Sequence, residues 1–263
     1  VTLHLGRNPS APDSRDLKIE DYVDLTAKIH VPWNLGHEDK MPQPRLMLGN
    51  GPDDSVAPDF QGASDCVFAF IINAIRLACG VGGKKIPPFT GKEAIAAYSE
   101  VTGYKLNDES TDNGTDMRTA LNWWRNTGIA DAVGTRHKLG AYAVIPKGGH
   151  LAWFQALWQL DVGVGLGINF PSSAMDQFNA GQVWQVVPGS PIDGGHAILL
   201  DARRQWPKVE TWARDQDVSE PFLETEVEEA YALFMPEMLN SENESPEGLN
   251  IAKLKADLAA VSS

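Results

Sequence analysis

A chain of 263 residues, 43% hydrophobic and 22% charged, has the size of one large domain or two closely packed lobes with a sizeable core. Its net charge of −13 is concentrated at one end, since residues 215–263 carry 12 acidic and two basic side chains. The clustered Lys and Arg that displace counterions from nucleic acid are missing, an acidic surface is repelled by anionic membranes, and the longest apolar run, Val67 to Ile75, is too short to span a bilayer.

Residues 1–58 hold seven of the 17 prolines and little periodicity, which predicts an extended arm over a folded body. Its opening lacks the basic-then-apolar pattern of a secretory signal. The first strong helix runs from Cys66 to Gly80, with Ser64 or Asp65 as cap and Gly80 as the left-handed stop. It is apolar nearly all round, so it is expected to be buried centrally. Cys66 and Cys79 would then stand about 19 Å apart at 1.5 Å per residue, too far for a disulfide.

Further helices are predicted at 92–101, at 116–127 with Met117, Ala120, Leu121 and Trp124 on one stripe, and at 151–159. Short runs rich in Val, Ile, Leu and aromatics follow, at 162–170, 182–187, 196–203, 209–213 and 230–235, separated by Gly, Pro and Asn. Helices first and mostly antiparallel strands second make an α+β chain of two lobes. We divide it into the arm (1–58), a helical lobe (59–140), an antiparallel β lobe (141–235) and an acidic tail with a short helix (236–263).

Two side chains suggest chemistry. Cys66 opens the buried helix, where unpaired N–H groups and the helix dipole favour a thiolate. His196 begins a strand directly after Asp193-Gly194-Gly195, and an imidazole there could pair with that thiolate. Gln61 could donate to an oxyanion beside the Cys66 N–H. By spacing alone Cys66 reads more readily as a small core residue than as a nucleophile, and Asp65 beside it opposes ionisation. The six histidines show no zinc-site spacing, the glycines at 163 and 165 read as strand glycines beside a packed helix, and the acidic residues at 108–116 miss a calcium loop, so no metal or cofactor is expected.

The segment from Gln61 through Cys66 to Phe70 resembles the nucleophile segment of the papain-like cysteine peptidase superfamily: a Gln, a Gly/Ser loop, the Cys, then an aromatic-Ala-Phe helix. Asn113-Gly114-Thr115 resembles the family's substrate loop, Gly195-His196-Ala197 its histidine strand, and Glu210-Thr211-Trp212 stands where it carries Asn-Ser-Trp. The order matches over residues 58–235.

The resemblance implies a two-lobe fold, helical plus antiparallel and barrel-like. Cys66, His196 and Gln61 would be catalytic, with Glu210 or Thr211 orienting the ring. Gly114, Thr115, Gly195 and Trp212 would surround a peptide or amide substrate. Three departures stand out: the Gln lies five residues before the Cys instead of six, the orienting Asn is replaced, and the second substrate-loop Gly is Thr115. The C-terminal third, including Phe222 and residues 228–232 and 245–261, is similar to uncharacterised papain-like proteins of bacteria and tailed bacteriophages.

Two functions follow as expectations: a thiol peptidase or amidase using a Cys-His dyad or degenerate triad, or a catalytically weak papain-fold structural protein of a virion, with arm and acidic tail as self-assembly contacts. Either implies a bacterial cytoplasm or a phage particle. Whether the arm occludes the groove is left open.

Overall fold

The computed structural model describes residues 2–22, 35–147, 150–160, 163–239 and 256. The expected tail helix lies outside the described residues apart from residue 256. In chain order the elements are β1 (Arg7–Asn8), β2 (Leu35–Gly36), α1 (Cys66–Val81), α2 (Gly91–Thr102), β3 (Thr115–Asp116), α3 (Met117–Asn126), β4 (Ile129–Ala130) and β5 (Arg136–His137). The second half contributes β6 (Ala141–Ile145), α4 (His150–Leu160), β7 (Val164–Pro171), α5 (Ser172–Asn179), β8 (Ile192–Arg203), β9 (Pro207–Thr211), β10 (Arg214–Asp217), α6 (Glu220–Glu226) and β11 (Val227–Phe234).

The main sheet is antiparallel throughout, in the order β10-β9-β8-β7-β11-β6, and β2 of the arm adds to the far end of β8. α1 packs against β8, which brings the start of the helix beside the start of the strand. α1 also comes close to β7, where glycine permits it: a side-chain carbon at Gly165 on β7 would sit 2.6 Å from the Phe70 ring. Val67, Phe68, Ile71, Ile72 and Ile75 of α1 are fully buried, each worth roughly 1.5–3 kcal/mol of transfer free energy. The helix is thus the common core of both lobes.

Local signals place the other helices. Thr90 and Glu93 form a reciprocal capping box on α2, and the Asp116 carboxylate accepts the Thr119 N–H at 2.9 Å to cap α3. Met117, Ala120, Leu121 and Trp124 all turn inward.

Four expectations are corrected. Gly80 is helical, not a left-handed stop, since α1 continues to Val81; its missing side chain admits the arm instead, with Lys40 O only 2.1 Å from where a Cβ would stand. Neither Ser64 nor Asp65 caps α1 with its side chain: Asp65 is the cap residue without a side-chain bond, and Ser64 is held by Asp112. Residues 182–187 form no strand; only Trp184 bridges to Val218, while Val186 and Val187 are exposed. Their apolar character comes from a loop anchored by one buried Trp, not from a ladder. The run at 209–213 also stops as a strand at Thr211, because Trp212 and Ala213 both have positive φ (42° and 63°) and make the two-residue turn into β10.

Candidate active site

Cys66 is the first residue of α1 and His196 the fifth of β8, and both line one small cavity of about 10 Å³, with room for no more than a single water. Asn50, Asn73, Thr211 and Trp212 complete its polar and aromatic wall. Cys66 and His196 are each about 1% exposed, and both cysteines are free thiols.

The imidazole is fixed on three sides. Its Nε2 lies 2.7 Å from the Thr211 hydroxyl, Trp212 stacks on its face with centroids 4.2 Å apart, and Phe170 meets it edge-on. The left-handed backbone at Trp212, uncommon for a bulky residue, puts the indole over the ring. Nδ1 has no hydrogen-bond partner. With Nε2–H donating to Thr211, Nδ1 carries the lone pair, the tautomer a general base needs.

Of the two orienting candidates, Thr211 touches the ring. Glu210 instead places Oε2 3.2 Å from Arg45 Nη1, while Arg45 Nη2 binds Asp215 at 2.8 Å. Burial, with Asp215 across the ladder, pushes Glu210 up to about 8 against the pull of Arg45.

Burial silences both reactive groups. The Cys66 thiol is pushed up to about 12, chiefly by desolvation and also by Asp65, against backbone hydrogen bonds from Ala197 and Gly6. His196 is pushed down to about 3, by desolvation and by the Arg7 guanidinium. At neutral pH the site is a neutral thiol beside a neutral imidazole. Desolvation also raises Asp65 well above the usual carboxylate range, with Asp112 and Asp53 adding to it.

The arm supplies that burial. Its residues 4–8 run between the lobes, where Gly6 N–H donates to Gly195 O at 3.1 Å, Thr115 N–H donates to Gly6 O at 2.9 Å, and β1 pairs in parallel with β3. Glycines are required on three sides: a Cβ at Gly6 would stand 2.0 Å from Ser64 O, one at Gly114 2.2 Å from Gly6 O, and one at Gly195 2.1 Å from Arg7 O. Arg7 then reaches across to Glu229 at 2.8 Å, its side chain 1% exposed. So Gly114, Thr115 and Gly195, expected around substrate, hold the chain's own arm, and Trp212 stands over His196.

Gln61 is not brought to this cavity. It is exposed, its amide donates to Asp59 O at 3.0 Å, and it borders a neighbouring space of about 480 Å³ with His4, Tyr104 and Asp108. Sequence reading overlooked Asn50, a buried amide on the cavity wall. It also overlooked Arg7 and Arg45. A Gly-Asn-Gly stretch at 49–51 was the available signal for Asn50, but it lies sixteen residues before Cys66.

Solved structures share this architecture. Xylellain, a cysteine protease from Xylella fastidiosa, superposes with a TM-score of 0.63 at 12% identity over 88% of this chain and 96% of its own. Procathepsin B from Trypanosoma congolense matches at 0.58 and 12% identity over 88% and 86% of the two chains. The Carica candamarcensis cysteine protease bound to E-64 matches at 0.52 and 12% identity over 77% and 98%. The fold is that of the papain-like cysteine proteases. No family model matches the sequence, and no curated protein does. The likeness therefore concerns the papain-like backbone, and chemistry has to be argued from the side chains.

Proposed function

We propose that this chain is a thiol hydrolase of peptide or other amide bonds, held closed by its own arm. The observation that carries this reading is Cys66 at a helix start and His196 on β8 lining one cavity, with the imidazole Nε2 held 2.7 Å from the Thr211 hydroxyl. Once the arm leaves, water and the α1 dipole lower the thiol while resolvation raises the imidazole, and a proton passes from Cys66 to His196 Nδ1.

The thiolate then attacks the acyl carbon. A C–S bond forms, the carbonyl π pair moves to oxygen, and on collapse the C–N bond breaks as His196 gives its proton to the leaving amine. Water, deprotonated by the neutral imidazole, hydrolyses the thioester and restores the thiol. The groove favours an extended backbone as substrate, because Thr115 N–H and Gly195 O already bind one.

The closed, neutral site also favours a second reading, a silent fold used for its surfaces. Peptide-library hydrolysis by the full-length Gly6→Ala chain, with and without Cys66→Ala, separates the two. Cleavage that depends on Cys66 is expected. Absence of cleavage together with an unreactive Cys66 contradicts the enzyme reading.

A further inference from the structure

The expected oxyanion donor, Gln61, points away from the thiol, yet the cavity has an amide of its own. The chain leaves the body at Asn50 and returns at Ala63, where Ala63 N–H donates to Gly49 O at 2.9 Å and closes the base of a loop. Gln61 travels with that loop. Asn50 stays at its base, 2% exposed, on the wall shared with Cys66 and His196.

Both Asn50 amide hydrogens are directed. One goes to Ala63 O at 3.3 Å, which fixes the plane of the side chain. The other goes, at 2.8 Å, to His4 O, a backbone carbonyl of the arm as it crosses the site. Two residues further along, Gly6 donates its N–H to Gly195 O, next to His196, and stands against Ser64 O, two residues before Cys66, so the arm passes beside both members of the pair. When the arm withdraws, the N–H that held His4 O is left without that partner, while the bond to Ala63 O keeps it oriented on the wall shared with Cys66. A donor held in place in advance binds a carbonyl oxygen, and binds it more strongly as negative charge develops.

We propose that Asn50, not Gln61, supplies the side-chain N–H that holds the oxyanion, alongside the Cys66 N–H at the helix start. This rests on the thiol-hydrolase reading above and assigns a catalytic residue to it. In the closed protein the same N–H binds the arm, so one amide serves both the closed and the reacting state.

Two reagents separate this role from folding and from thiol activation. p-Nitrophenyl acetate acylates a thiolate through a tetrahedral oxyanion, whereas iodoacetamide alkylates it by displacement at a saturated carbon with no oxyanion. Both rates are measured at Cys66 by mass spectrometry in the full-length Gly6→Ala chain, alone and combined with Asn50→Ala, Asn50→Asp or Gln61→Ala. Asn50→Asp keeps the shape and removes the donor, which guards against a variant that only loosens the loop.

Both Asn50 variants are expected to lower acylation on the order of 100-fold while alkylation changes by less than about threefold. Equal changes in the two rates, or a selective acylation loss in Gln61→Ala instead, overturn the assignment while leaving the hydrolase reading intact. A Cys66 that reacts with neither reagent in the parent chain overturns both.

Discussion

The sharpest consequence of the closed groove concerns Gly6→Ala. A methyl group there would stand 2.0 Å from Ser64 O, where ordinary contact begins near 3.4 Å, so the arm must lift by about 1.4 Å. That displacement breaks the bonds from Gly6 N–H to Gly195 O (3.1 Å) and from Thr115 N–H to Gly6 O (2.9 Å), each worth about 1 kcal/mol net. Lifting the arm readmits water to a thiol that burial holds at about 12. Return even as far as an ordinary thiol value near 8.5, before any pairing with His196 lowers it further, raises the thiolate fraction at pH 7.5 by roughly three orders of magnitude. The assay is Cys66 alkylation by iodoacetamide followed by mass spectrometry, with Cys79 as internal reference. Cys79 is pushed up to about 11 by its own burial, away from the groove, and should be unaffected. We expect an increase of at least about 100-fold at Cys66 alone. An unchanged rate, with hydrogen exchange showing the Gly6 and Thr115 amides freed, would refute the claim that the arm imposes the burial.

Three further outcomes are expected. Arg7→Ala removes the arm's buried half of the pair with Glu229 and should weaken docking by about 2 kcal/mol, seen as roughly 30-fold faster proteolysis within the arm. Thr211→Val strips the 2.7 Å hydroxyl contact from His196 and should cost about 1–2 kcal/mol in urea denaturation; in the Gly6→Ala background it should slow acylation about tenfold, with Thr211→Ser near the parent rate. Glu210, raised to about 8 in the folded chain from an ordinary 4.5, keeps a proton that the unfolded chain loses, so its contribution to stability falls as pH rises between those values. Glu210→Gln should therefore gain about 3 kcal/mol on wild type between pH 5 and pH 8 in thermal melts, and a parallel pH dependence in both chains would contradict the assignment.

How much of this was legible in the sequence follows from which signals are local. The Cys66 helix announces itself by a long apolar run, and the His196 strand by Gly-Gly before β-branched and aliphatic residues; both signals sit within a dozen positions. The choice between Glu210 and Thr211 was not legible, because it depends on where Arg45 lies, some 165 residues away in sequence. Gln61 is near Cys66 in sequence but not in space, because the loop between Asn50 and Ala63 carries it outward. The parallel pairing of β1 with β3 joins two-residue strands about a hundred positions apart, with no periodicity to betray it. Likewise β10, Arg214–Asp217, is a strand without an apolar residue, held by its ladder to β9.

Hydrolysis requires Cys66 and His196 to become a thiolate–imidazolium pair once the arm is displaced. The direct measurement is the pH dependence of Cys66 alkylation in full-length Gly6→Ala, with and without His196→Ala. The expected result is a reactive plateau reached well below pH 8 that disappears in the double variant. A single rise near pH 8.5 that is the same in both chains would show an ordinary exposed thiol, and the catalytic reading would fall.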